Sequence, residues 1–345
     1  MFNKNFILRI FALLLITSLV SCGDDDAADP IPDVSNIKVD VKIRRFEQDL
    51  FAIDTTNLEA GVQNIEQKYP MMSEIYAQII DDKRVKEATT SQLIGGFIKS
   101  PYTRKLNDTV QIVYKDMSDL EQEFNKAFQF YKYYFPKKPI PEIDTYISEY
   151  GIGSLTYGDS LLGVGLDFYL GEKHGGYDPS GIPRYESRSM DKTHLVTKSM
   201  QTMISNLSEQ APKGGRLLDM MITNGKQLYI LDKILPYTAD SIKFNYTQKQ
   251  MDWCKTNEPD VWAYLLSEKL LYSLRQMDWG KLVNPSPSGT PKMPADSPGR
   301  VGNWLGYKIV RAYMKKYPST TMEQLLNLHD AQKILDSSKY KPKRR

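Results

Sequence analysis

The chain has 345 residues, 41% hydrophobic and 25% charged, the balance of an ordinary globular protein, which excludes collagen-like, coiled-coil and fully disordered organisation. Its 45 Lys and Arg against 42 Asp and Glu give a formal charge of +3, too weak a field to draw the molecule to nucleic acid. Two cysteines and three histidines rule out a disulfide framework and a multi-cysteine zinc site.

Residues 1–21 read as a secretory leader: Lys4 and Arg9, an apolar run from Ile10 to Val20, then small Ser21 before Cys22. The run falls short of the roughly 20 apolar residues that span a bilayer. Leu19-Val20-Ser21-Cys22 resembles a bacterial lipobox, which implies cleavage before Cys22, diacylglycerol on its sulfur, and a further acyl chain such as palmitate on the new amino group. Two or three chains anchor a protein where one does not. Losing the leader removes Lys4 and Arg9 and leaves 43 basic against 42 acidic residues, a balance of +1. Residues 22–35, acidic and proline-containing, form the lipidated tether. Asp24-Asp25-Asp26 resembles a surface-sorting signal and equally suits a solvated tether, so surface and periplasmic placement both stand.

Val39–Phe46 alternates apolar and polar residues and predicts a strand. Asn57 caps a predicted helix over 58–68, stopped by Tyr69-Pro70, and another helix follows over 72–80. Over 118–134, Leu120, Phe124, Ala127, Phe128 and Tyr131 share one helical face. Strands are predicted at 145–148 and 162–169, the second apolar enough to be central. Residues 171–191 read as a long loop. Val196, Met200, Met203, Ile204 and Leu207 then mark a helix, and Leu217–Leu235 predicts a buried one before Pro236. Two separate helices are expected at 249–255 and 261–274, a proline-rich loop at 284–298, and a helix from Arg300 to Lys316 with Val301, Leu305, Ile309 and Ala312 inward. Segments 321–328 and 330–335 close the fold. The expectation is a predominantly helical α+β domain over 36–338, its small sheet in the N-terminal half, with a basic tail over 339–345; a two-domain split near 171–191 is the alternative.

Catalytic signatures fail on spacing. His194 opens His-Leu-Val-Thr-Lys, without the glutamate and second histidine of a zinc-peptidase helix. Gly151-Ile-Gly153-Ser154 and Gly158-Asp-Ser160-Leu-Leu-Gly163 miss the nucleophile-elbow spacing, and neither Asn224-Gly225-Lys226 nor Gly163-Val-Gly165 completes a phosphate or dinucleotide loop. A site using His174, His194 and His329 together is geometrically allowed but has no local signature. Cys254 reads as a core residue, and Asp81-Asp82 and Glu121/Glu123 as solvated carboxylates. The most distinctive segment is Pro298-Gly299-Arg300-Val-Gly302-Asn-Trp-Leu-Gly306, where Gly302 and Gly306 share a face open to close backbone approach and Arg300 with free amides offers an anion or peptide contact.

Taken together, the lipobox cysteine, Arg44-Arg45-Phe46 with Asp49-Leu50-Phe51, Gly165-Leu-Asp-Phe-Tyr-Leu-Gly171, Ile182-Pro183 with Tyr185, the segment from Leu218-Asp219 through Gly225-Lys226 to Leu235-Pro236, and Pro298-Gly299-Arg300 with Gly302 and Gly306 resemble the GldB family of gliding-motility lipoproteins. The resemblance spans nearly the whole mature chain. It implies a lipid-anchored cell-envelope protein serving gliding or its linked secretion machinery, with envelope proteins and the membrane as partners, no nucleic acid, and no cofactor. The layout is also similar to putative zinc peptidases, but Asn224-Gly225 stands where a glutamate-glycine pair belongs and the helix over 196–207 carries no histidine. That implies a zincin-like scaffold without metal or catalytic residues, whose cleft binds a partner instead.

The reading is therefore a non-catalytic accessory lipoprotein acting through protein contacts, with lipidation at Cys22 and candidate partner or ligand contacts at Arg300, Gly302, Gly306 and Asn224. The alternative is a surface lipoprotein binding glycan or peptide nutrients, suggested by 22 Tyr and 4 Trp. An active metallopeptidase is disfavoured by the missing ligands.

Overall fold

In a computed structural model, residues 29–80, 88–208 and 214–342 are described. The leader, Cys22, Asp81-Asp82 and the last three residues of the basic tail lie outside them. The described residues from 34 onward form one compact unit.

In chain order, β1 (Ile43–Arg44) leads into α1 (Phe46–Phe51), α2 (Leu58–Lys68), α3 (Pro70–Ile79), α4 (Thr90–Lys99), α5 (Pro101–Val113) and α6 (Ser118–Tyr134). Next come β2 (Glu142–Tyr146), β3 (Ser154–Tyr157) and β4 (Leu161–Gly165), then a 3-10 turn at Leu166–Tyr169. The second half is helical: α7 (Arg184–Ser187), α8 (Lys192–Leu207), α9 (Leu217–Ile234), α10 (Asp240–Lys243), α11 (Gln248–Ser267), α12 (Gln276–Trp279), α13 (Val301–Lys316), α14 (Met322–Leu326) and α15 (Ala331–Ser338). The fold is α+β with a four-stranded sheet ordered β1-β2-β4-β3, parallel except for the antiparallel β3–β4 pair. Every residue of β4 is buried, as an apolar strand between two neighbours requires.

The strand expected over 39–46 shrinks to two residues because α6 side chains capture the backbone that a sheet ladder would use. Asn125 accepts from the Val41 amide at 2.8 Å and donates to its carbonyl at 3.0 Å, Glu121 accepts from Ile43 N at 3.0 Å, and Gln129 donates to Ile37 O. Glu121 is thus a structural acceptor rather than a solvated charge. Arg44 then forks onto buried Asp144 at 2.6 and 2.8 Å, while Arg45 reaches buried Glu47, to which Thr145 also donates. The Arg44-Arg45-Phe46 motif is consumed in locking the N-terminal segment onto β2.

Other expectations shift for local reasons. The strand over 162–169 ends at Gly165, and that at 145–148 begins earlier, at Glu142. Asn57 occupies the start of α2 without a side-chain cap bond. The two helices expected at 249–255 and 261–274 are one helix, α11, running through Pro259. Met251, Cys254, Val261 and Leu265 form one buried stripe across the proline, so packing holds both halves in line despite the missing amide. Helices α4 and α5 and strand β3 lie in segments where the sequence predicts none. Val34, near the end of the expected tether, is 2% exposed.

Helices α9 and α13 cross at two glycines. A β-carbon on Gly225 would lie 2.5 Å from the Gly306 carbonyl oxygen and 2.7 Å from Tyr307 N, and one on Gly306 would lie 2.6 Å from the Met221 carbonyl carbon. Only hydrogen at both positions permits backbone-to-backbone contact there. The same crossing brings Asn224 and Arg300 to one side of the molecule.

Candidate functional site

On that side lies a cavity of about 470 Å³, adjoined by one of about 200 Å³. Gln201, Asn245, Tyr246, Pro285 and Arg300 line both. The larger is walled by the 3-10 turn with Phe168 and Tyr169, by α7 and the residues after it, and by α8. Helix α8 is amphipathic: Val196, Met200, Met203 and Ile204 enter the core, while Lys198, Gln201, Thr202 and Ser205, at helical spacing, face the cavity. That stripe presents an ammonium, an amide and two hydroxyls to the cavity.

Arg300 sits at the N-cap of α13 in left-handed conformation, φ 62°, which costs a non-glycine residue about 1–2 kcal/mol. Its amide donates to Lys281 O at 2.8 Å, and its guanidinium lies over the Tyr246 ring and donates to Asn245 O at 3.0 Å. Asn245 is itself left-handed at φ 54°. Tyr246 completes the arrangement by donating from its hydroxyl to Gly299 O at 2.8 Å. Two strained residues thus hold the guanidinium at the cavity wall with only carbonyl acceptors. The Lys198 ammonium makes no hydrogen bond or ion pair among the described residues. Burial, reinforced by the Arg300 charge, pushes its ammonium down to about 8, against the pull of Glu186 and Asp191.

Of the residues expected to make partner or ligand contacts, Arg300 lines both cavities and Asn224 lines the smaller one, where it donates to Asn303 Oδ1 at 2.8 Å. Gly302 and Gly306 are buried and face inward: a β-carbon on Gly302 would meet Leu282 O at 2.7 Å, and Gly306 is filled by α9. Their role is helix packing, which leaves no glycine surface for a partner. Lys198, on the cavity wall, belongs to none of the sequence motifs; its polar stripe on α8 does not by itself distinguish it from a solvent-facing one.

The histidines are dispersed into local roles. His194 pairs through Nδ1 with Asp191 at 2.9 Å, where Asp191 caps α8, and His174 Nε2 meets the Tyr150 hydroxyl at 2.6 Å. Among the described residues, no group of three or more His, Cys, Asp or Glu side chains is arranged to hold a metal ion. Cys254 is buried, with its thiol pushed up to about 12 by burial. Asp167 is a second buried titratable group. Its Oδ2 accepts from Ser148 N at 3.1 Å and Tyr150 N at 2.7 Å while Oδ1 has no partner, and burial raises its carboxyl to about 6. Glu149 and Tyr150 beside it are left-handed, so the carboxylate holds a strained turn.

No described helix is long and apolar enough to cross a membrane. A family model described as gliding motility protein GldB matches residues 28–342. No curated protein and no solved structure matches the chain.

Proposed function

The chain belongs to the gliding motility protein GldB family, and on that premise we propose that it is a lipid-anchored, non-catalytic accessory protein that serves gliding, or the secretion machinery linked to it, through protein contacts. The family match over 28–342 carries the proposal. Acylation at Cys22 would tie residues 22–35 to the envelope membrane and leave the body free to reach its partners. An apolar segment supports a role in protein contact: Tyr272, Leu274 and Met277 are 52%, 68% and 94% exposed, the kind of surface that marks interaction sites when clustered. Crosslinked pull-down from envelopes tests the reading. Co-purification of motility or secretion components is expected; recovery with a glycan-uptake channel in their place would favour the second reading, binding of glycan or peptide nutrients, which draws on Phe168, Tyr169, Tyr185 and Tyr246 around the larger cavity.

A further inference from the structure

From the charge lining the larger cavity we infer that it is a binding site for a small organic dianion, a phosphate monoester or a dicarboxylate, held between Lys198 and Arg300. Three cationic side chains, Arg188, Lys198 and Arg300, face one carboxylate, Glu186, across a space of about 470 Å³. The excess is two positive charges. Among the described residues neither Arg188 nor Lys198 has an ion pair, and the Arg300 guanidinium meets only carbonyl oxygens and the Tyr246 ring. Cations gathered in a concave site without carboxylate partners repel one another until an anion enters, and the guanidinium fork matches the paired oxygens of phosphate or carboxylate. The backbone strain at Arg300 and Asn245 is the type that persists where a side chain must be held in position for a ligand. Tyr185 and Tyr246 on the wall offer flat surfaces for the carbon skeleton. The inference does not rest on the motility reading.

The charges of Arg300, Glu186 and Asp191 act on Lys198, and Arg188, Tyr169 and Tyr185 line the same cavity. Its ammonium, held down to about 8, is mostly charged at neutral pH and discharges just above it, so dianion binding weakens as pH passes 8.

Calorimetric titration of the full-length protein in detergent, with inorganic phosphate, succinate and acetate as probes, tests the site. At pH 7.5 at least one dianion binds, and acetate binds about tenfold or more weakly, the scale of one close charge contact. Binding of phosphate alone identifies phosphate monoesters as the source, and succinate alone identifies dicarboxylates. Lys198→Met and Arg300→Gln each weaken the bound dianion about tenfold or more, while Glu186→Gln tightens it several-fold. Succinate, fully ionised throughout, loses affinity between pH 7.5 and 9 in the parent but not in Lys198→Met. Melting curves confirm that each variant is folded, and the gain from Glu186→Gln remains a test should Arg300→Gln fail to fold. Acetate binding as tightly as the dianions, no dianion binding at millimolar concentration, or affinity unchanged in both cation variants overturns the inference.

Discussion

Placing a methyl group at Gly306 is expected to split the second half of the fold at its tightest joint. The new β-carbon would sit 2.6 Å from the Met221 carbonyl carbon, closer still to its oxygen, and 3.2 Å from Met221 Cα. Carbon atoms in contact normally lie about 3.5–4.0 Å apart, so α9 and α13 must separate by more than about 1 Å along that line. The obstacle is backbone on both helices, and no side-chain rotation relieves it. Overpacking of this kind costs about 1–3 kcal/mol, occasionally more, and the upper end applies because Gly225 meets Gly306 at the same crossing and both helices are largely buried. For a body of this size about 3 kcal/mol corresponds to a fall in Tm of about 5 °C. Gly96→Ala is the internal control: a methyl at that helical glycine would have nothing within 4 Å of it, and replacement should stabilise by about 0.5–1 kcal/mol. Denaturant titration and thermal melting of Gly306→Ala, Gly225→Ala and the double variant measure the effect, and the double should be less than additive because both methyls push the same helices apart. A Gly306→Ala protein as stable as the parent would refute close backbone contact at this crossing.

Three further outcomes follow from the geometry. Asp167, raised from 3.8 to about 6 by burial, favours its protonated form in the folded state; its contribution is full below about pH 4, is lost as pH rises through 6, and amounts to about 3 kcal/mol. Asp167→Asn keeps an oxygen for the two backbone donors and removes that dependence, so urea midpoints at pH 4.5 and 7.5 should converge; an unchanged difference between the two pH values contradicts the assignment. Arg44→Ala leaves Asp144, 0% exposed, as an uncompensated buried charge and should cost about 3 kcal/mol in denaturant unfolding, whereas a loss under about 0.5 kcal/mol would mean the pair is no more than a surface bridge. Pro259→Ala restores a missing amide inside α11 and should raise stability by about 1–3 kcal/mol, measured as a shift in Tm; a destabilised protein would show that the proline fits its place for a packing reason.

The long amphipathic helices are legible in the sequence because one apolar stripe at helical spacing fixes both the element and its buried face. Leu120, Phe124, Ala127, Phe128 and Tyr131 mark α6, and all five are buried. Helix α4 carries a subtler signal, Thr89 and Gln92 closing a capping box, and α5 opens with Pro101 at its first turn, ahead of a stripe of Thr103, Leu106 and Val110. The alternation at 39–46 misleads because period two records only that one face is buried; it says nothing about whether a sheet or the side chains of Asn125, Glu121 and Gln129 will take the backbone hydrogen bonds. Pro259 misleads in the opposite direction, since a local breaker can be overridden by a continuous buried stripe. At the site, Arg300 is visible from the Pro298-Gly299 turn and the helix start it opens, and Asn224 only through the family resemblance. Lys198 is not, because a polar helical face looks the same in sequence whether it meets solvent or a cavity; only the fold of the loop over 171–191 against α8 encloses it.

A lipid-anchored role in gliding is tested by colony spreading of a gliding host whose gene for this chain is deleted and then complemented. The account predicts that deletion stops spreading, that the parent sequence restores it, and that Cys22→Ser, expressed and folded but no longer acylated, does not. Normal spreading of the deletion strain, or full rescue by Cys22→Ser, would contradict it.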